Sequence, residues 1–396
     1  MRRRDFLACA AALVLIDPTR ATFATPLASA QTLAAQSRLS FRLMAGLSAT
    51  RRRGANLTIS PASLAAVISL IDLGANTPLH ASFCRSLGFE GNGGDALLES
   101  LRQVISGILN DNRGRVLLAN GLIIDPRINP VESTIAKMQS TGAEITIGDV
   151  TDPAVMKRIN DWVSTRTKGR IPAILDAPPE KGAVALNAIY FKDDWESPFD
   201  KGATKPRRFY SLDRETEVSM MRQATVCSFR REGRFVAVDL PYVHRRYSFA
   251  VITTVDRPAA ADEFADVAHW LDGNAFSAGP VRLLLPSFTA TEQADLLDPL
   301  KTKDLANDLA SPSAFEGLAA FPVTMTSILQ RLFLKVSEQG TEAAAATGVM
   351  IAGRSMHIEE NEIVIDKPFL FALRDSETGL ILMSGYIGTP KSEAII

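Results

Sequence analysis

Side chains able to do acid–base or nucleophilic chemistry are scarce in this sequence. Its 396 residues hold four histidines: His80, His244, His269 and His357. His244 falls in the turn-like stretch "VHRRY", and His269 lies on an amphipathic helix, where a surface or packing role is the ordinary one. G-x-S-x-G, H-E-x-x-H, a Walker loop and C-x-x-C do not occur. The paired acids Asp193-Asp194 and Glu359-Glu360 read as loop residues with nothing to raise a carboxyl pKa. The cysteines have no metal-ligand spacing. These residues argue against an enzyme and imply neither cofactor nor metal. What stands out instead is "GTEAAAATGVMIAGRS", Gly340 to Ser355, a small and nearly uncharged ribbon that closes on one arginine beside a serine.

Four consecutive alanines are strong helix formers, yet this ribbon lies between the strand-like "RLFLKV" and "EIVI". With period two, one face carries Thr341, Ala343, Ala345, Thr347, Val349 and Ile351. The other carries Glu342, Ala344, Ala346, Gly348 and Met350. The first face has no charge, begins small and ends β-branched, as in a strand with one buried face. Its early residues are small enough to pass between neighbours that are already packed. Such a segment can be an exposed loop in one state and a central strand in another. A flexible loop or a short alanine helix is the alternative that the residues alone leave open.

The elements around the ribbon suggest α+β layering. With 46% hydrophobic and 22% charged residues, the chain has globular composition and ample length for a large core. Net charge is −1, so no general attraction to nucleic acid is implied. "NLTISPASLAAVISLIDLGA" starts as a strand, is capped at Ser60 and enters a helix at Pro61. "GDALLESLRQVISGIL" places Leu97, Leu98, Leu101, Val104, Ile105 and Ile108 on one helical stripe. "VMKRINDWVSTRTKGRI" is a helix ending at Gly169, and "ADEFADVAHWL" a later one. "RVLLANGLIID" and "AVALNAIYFKDDW" read as strands buried on both faces, the latter with one internal asparagine. From about Tyr210 antiparallel-type strands dominate. No linker or repeat divides residues 31–396, which form one domain in this reading. Cys84 and Cys227 are expected as buried free thiols.

The first 30 residues have the architecture of a signal peptide: a basic head, an apolar run from Phe6 to Ile16, and the small residues of "ASAQ" before a cut ahead of Gln31. "RRDFL" resembles the twin-arginine export motif, which implies bacterial export to the periplasm or beyond; an ordinary secretory signal is the alternative. Removal takes away four arginines and two aspartates, so the net charge falls from −1 to −3.

"SEQGTEAAAAT", Ser337 to Thr347, resembles the hinge of the reactive-centre loop in inhibitory members of the serpin family. The family's other blocks follow in order: "ISPASLAAVISLIDLGA", "NAIYFKDDWESPF" with Asn187 and Trp195 in matching places, "DLPY", "LLLPSF", "DKPFLFALRD" and "SGYIGTP". Coverage runs from about Gln36 to Pro390. The resemblance implies the serpin fold: about nine helices around three antiparallel or mixed sheets, with an exposed loop over residues 338–358. It also implies a monomeric suicide inhibitor, in which a protease cuts the loop, is held as an acyl-enzyme, and is dragged away as the loop enters the main sheet. The hinge comprises Glu338, Gly340, Thr341, Glu342, Ala343, Ala344, Ala345, Ala346 and Thr347, with Thr341 the first residue to turn inward as the sheet opens.

In the family the hinge glutamate stands seventeenth before the cut. Counted from Glu338, the reactive bond is Arg354–Ser355, flanked by Ile351, Ala352, Gly353 and Met356, and "IAGRS" resembles the bait of antithrombin. Arginine there fits a protease pocket with an acid at its base. The implied partners are trypsin-like serine proteases, with Arg-specific cysteine proteases, or a non-inhibitory binding or chaperone role, as alternatives. Two departures matter. The helix matching antithrombin's heparin helix has Arg102 as its one base, so no heparin site is inferred. The histidine usual beneath the opening point is Gln330 here, with Ser60, Ser63 and Asn187 as its expected polar partners and Trp195 completing the sheet-opening set. Glutamine both donates and accepts, so it can serve the same network.

Overall fold

The computed structural model describes residues 30–87, 94–109, 115–179, 182–273, 275–341 and 361–391. The predicted reactive bond Arg354–Ser355, its flanks and the ribbon beyond Thr341 lie outside these residues, as do residues 1–29. Among the described residues are eight α-helices: α1 (Ala30–Ser48), α2 (Pro61–Ile71), α3 (Thr77–Ser86), α4 (Gly94–Leu109), α5 (Glu132–Ser140), α6 (Pro153–Arg166), α7 (Leu297–Leu300) and α8 (Lys303–Leu309). The expected ends are present. Ser60 caps α2, its side chain accepting from the Ser63 amide, with Pro61 at the first helical position. Gly169 follows α6 at φ +78°, and its amide reaches back 2.7 Å to the Ser164 carbonyl.

The described residues also form four 3-10 helices, three of them single turns and the fourth the twelve-residue Ala261–Asp272. Its buried Phe264, Val267 and Trp270 recur every three residues, a spacing that three residues per turn stacks on one line.

The strands are β1 (Leu57–Ile59), β2 (Val116–Ile124), β3 (Glu144–Ile147), β4 (Ala183–Phe191), β5 (Asp193–Asp194), β6 (Lys205–Tyr210), β7 (Glu215–Glu232) and β8 (Phe235–Pro241). They continue as β9 (Tyr247–Thr254), β10 (Ser277–Pro286), β11 (Phe288–Asp295), β12 (Met325–Val336), β13 (Gly340–Thr341), β14 (Asn361–Val364), β15 (Phe369–Asp375) and β16 (Ile381–Ile387). A seven-stranded sheet runs β3-β2-β4-β12-β13-β5, with β11 also paired to β12. A nine-stranded sheet runs β1-β16-β15-β9-β8-β7-β10-β14, with β6 also on β7. Two of the three expected sheets are continuous here, because β7 pairs with β6 and β10 before it pairs with β8.

β4 explains its own apolar run. Ala185, Ile189 and Phe191 join the main core, whereas Val184, Leu186 and Ala188 join a second core beneath Val155, Ile159 and Val163 of α6. Asn187 falls on the face toward the main core. Cys84 and Cys227 are buried thiols outside any disulfide, and burial pushes the Cys227 thiol up to about 12, leaving it inert.

Candidate functional site

The centre of the seven-stranded sheet is a parallel pair, β4 beside β12, in register from Val184↔Ser327 to Tyr190↔Phe333, with a bulge separating the first pair, Ala183↔Met325. Three residues further up, β13 lies between β12 and β5, antiparallel to both: Thr341 is opposite Val336 on one side and Asp193 on the other. The sheet is therefore closed below and parted above, and the wedge is the beginning of the small-residue ribbon. Two polar clusters hold this arrangement. They are separated by the seven residues from Gln330 to Ser337, roughly 23 Å of strand.

The lower cluster joins Gln330 of β12, Asn187 of β4 and the amino terminus of α2. Gln330 Oε1 accepts from the Ser60 amide at 2.7 Å. Its Nε2 lies 3.0 Å from the Ser60 carbonyl, 3.2 Å from Ser63 Oγ and 3.4 Å from Asn187 Oδ1. Ser63 Oγ also donates to Asn187 Oδ1, and Asn187 Nδ2 donates to Asn120 of β2. Ser60, Ser63, Asn187 and Gln330 are 0–2% exposed, so the cluster depends on internal partners rather than water. The structure thus brings together the four polar residues expected there. It adds Asn120, directly opposite Asn187 in the β2–β4 register.

Trp195 belongs to the upper cluster. Ser337 and Gly340 exchange backbone hydrogen bonds of 2.9 and 3.3 Å across Glu338-Gln339, a two-residue hairpin that turns β12 into β13. Each carbonyl of that turn has its own donor: Trp195 Nε1 to Ser337 O at 2.8 Å, the Trp195 amide to Gln339 O at 2.9 Å, and the Phe199 amide to Glu338 O at 2.8 Å. The Glu338 carboxylate accepts from Thr204 Oγ1 at 2.8 Å. A Cβ at Gly340 would come 2.2 Å from the Asp193 carbonyl, so the close approach of β13 to β5 requires glycine.

Thr341 is fully buried, and its hydroxyl is hydrogen-bonded to Tyr242 OH, whose ring stacks 4.3 Å from that of Trp195. Burial pushes the Tyr242 phenol well up, so it stays protonated. Thr341, the ribbon residue expected to turn inward first as the sheet opens, is already inside, because β5 and Tyr242 give its backbone and hydroxyl partners. Asp193 and Asp194 are likewise strand residues, not a loop. Asp193 is buried with Arg115, 3.4 Å between Nε and Oδ1.

Sequence reasoning did not single out Tyr242, Asp193, Arg115, Thr204 or Asn120 for this site. Tyr242 lay in the "DLPY" block and Asn120 was a lone amide in an apolar strand, whereas Thr204 and Arg115 carried no signal. Arg102 of α4, the one base of that helix, is paired 3.0 Å from Asp72 and 3.3 Å from Glu99.

The fold and site define a protein whose main sheet is parted at one end by the start of a separate segment. The family model described as "Serpin (serine protease inhibitor)" matches residues 34–390, and the chain belongs to that family, one of inhibitors rather than enzymes. Mouse glia-derived nexin is 28% identical over 360 residues, covering 85% of this chain and 88% of its own. Bovine leukocyte elastase inhibitor is 29% identical over 358 residues, covering 85% and 93%. Among solved structures, the native thermophilic serpin tengpin superimposes with a TM-score of 0.77 at 21% identity, over 90% of this chain and 94% of its own.

Proposed function

We propose that this chain is an irreversible suicide inhibitor of trypsin-like, Arg-specific serine endopeptidases, with Arg354–Ser355 as the reactive bond. The observation that carries this reading is the wedge. Gly340 and Thr341 stand in line with the β4–β12 seam, and the residues that follow them in sequence are Glu342, four alanines and Thr347. Nothing bulky or proline-bearing stands in the way of further insertion, which favours an inhibitor over a purely binding member of the family.

The target's serine attacks the Arg354 carbonyl. The Arg354–Ser355 bond breaks, the Ser355 amine leaves with the transferred proton, and Arg354 remains as an ester on the protease. Insertion then competes with hydrolysis. For β4 and β12 to admit a strand, their separation must grow from one strand spacing to two, about 4.8 to 9.6 Å. The Gln330–Asn187 contact must break, so the amide cluster is the latch on the sheet. The latch is uncharged, so its opening carries no penalty for exposing or stranding an ion.

The twin-arginine-like leader supports export to the periplasm or the extracellular space as the place of action. The test is incubation with active-site-titrated trypsin followed by denaturing electrophoresis. A covalent band of summed mass is expected, whereas cleavage without a complex would overturn the reading. Arg-specific cysteine proteases belong in the same panel, where the trapped species would be a thioester.

A further inference from the structure

A second feature lies on the nine-stranded sheet, between the two anchors of the loop. Lys205 and Arg207 of β6 and Arg222 of β7 line one recess with Asp200, Met220 and Leu284, enclosing about 190 Å³. The register explains why they meet. Lys205 pairs with Met220, Arg207 with Val218 and Arg222 with Leu284, so the three cations share one face of the sheet. Met220 and Leu284, each 2% exposed, form the floor.

Cations elsewhere on this protein mostly face acids: Arg51 lies 2.8 Å from Glu292, and Arg234 3.2 Å from Glu263. Lys205, Arg207 and Arg222 have no ion-pair partner among the described residues. The one acid of the recess, Asp200, accepts from the Gly202 amide at 2.8 Å and caps the short turn Lys201–Ala203. Three like charges gathered beside a single carboxylate repel one another unless a further anion joins them. Three cations against one carboxylate leave two net positive charges.

We infer that this recess binds a doubly charged tetrahedral oxyanion, a phosphate group, with Lys205, Arg207 and Arg222 as its ligands. The site takes no residue from α4 and does not depend on the inhibitor reading. Its place gives it leverage on the loop. Thr204, between Ala203 and Lys205, holds the hinge glutamate Glu338, and Leu284 is paired in register with Val364 of β14, where the chain returns from the loop. A bound phosphate would stiffen both anchors at once.

The phosphate could be free or borne on a chain, and titration calorimetry on the full chain at low salt with inorganic phosphate and with a polyphosphate distinguishes these. Saturable binding of either probe is expected, weakened at least tenfold in the double variant Arg207→Gln, Arg222→Gln. Binding of both probes marks a site for the free ion; binding of polyphosphate alone marks a chain-borne ligand. Arg208→Gln, one residue along on the opposite face and paired with Glu215, should bind as the wild type does. The altered side chains are exposed, so the melting temperature without ligand should not move. Failure of both probes to bind, or equal binding by the double variant, would overturn the assignment, and neither result bears on trypsin trapping.

Discussion

Arg354 and Gln330 mark two kinds of single-residue dependence, one on the partner's chemistry and one on the sheet's own polar groups. Arg354→Ala removes the cation that a trypsin-like pocket reads, so the covalent band with trypsin should vanish; Arg354→Leu should redirect trapping toward chymotrypsin- or elastase-like enzymes. An alanine variant that still traps trypsin means the reactive bond lies elsewhere. Gln330→Ala strands the Ser60 amide in a fully buried site, while the Ser60 carbonyl keeps the Leu64 amide as donor, at a cost of roughly 1–3 kcal/mol in denaturant unfolding. Gln330→His would instead make the latch titratable. Burial lowers the imidazole pKa below its usual ~6.5. The unfolded chain then binds the proton more tightly, so stability is full above pH ~6.5 and is lost as pH falls below it. The wild type, with an amide there, should lack that limb, and matching pH profiles for the two proteins would refute the role given to this position. Gln330, Ser60, Ser63 and Asn187 were legible as a set through the resemblance to the serpin family, whose usual histidine place falls on Gln330; the residues alone marked only Ser60 as a helix cap and Asn187 as an asparagine inside an apolar strand. Thr204 was not, since a threonine in a polar connector looks the same whether or not a glutamate comes to rest on it.

The hairpin Ser337–Gly340 with β13 is the element on which insertion turns. Period-two reading put Thr341 first on a face expected to be buried, and Thr341 is buried; the rest of that face lies outside the described residues. Period two did not reveal that Thr341 is already seated, because a two-residue strand has no pattern of its own and exists through β5 and Tyr242. The same limit hid β5 itself. Thr341→Arg would force a full charge into the seam beside Val336 and Asp193, at a cost of several kcal/mol. The hinge should leave the sheet and insertion should stall, while the bond at Arg354 is still cut. Tyr242→Phe is the milder probe: it leaves the Thr341 hydroxyl unpaired, which should lower stability by about 1–2 kcal/mol and raise the number of inhibitor molecules consumed per protease trapped. The variants thus predict a graded passage from inhibitor toward substrate, read by comparing the covalent band with the cleaved band. Full trapping by Thr341→Arg would sink the insertion mechanism.

On the scale of the whole molecule, two predictions concern where the protein goes and how much its sheet can gain. If residues 1–30 are a twin-arginine leader, replacing Arg3 and Arg4 with lysine should leave the precursor in the cytoplasm of the producing cell; unaltered export would assign the general secretory route. The second follows from sheet direction. At present one parallel ladder of eight register pairs joins β4 and β12. A strand entering from β13 would be antiparallel to both neighbours, replacing that ladder with two antiparallel ones, each slightly stronger per residue. With about one added hydrogen bond per inserted residue at ~1 kcal/mol net, the gain is on the order of 10 kcal/mol. Unfolding entropy near 2 cal/mol/K per residue then converts this into a rise of roughly 10–15 °C in melting temperature. Cutting the loop between Thr347 and Arg354 with a protease that is not trapped should produce that rise in the wild type, and Thr341→Arg, cut at the same bond, should show little of it. If the cleaved wild type melts where the intact protein does, the β4–β12 seam does not admit the ribbon, and the wedge at Thr341 is as far as the strand goes.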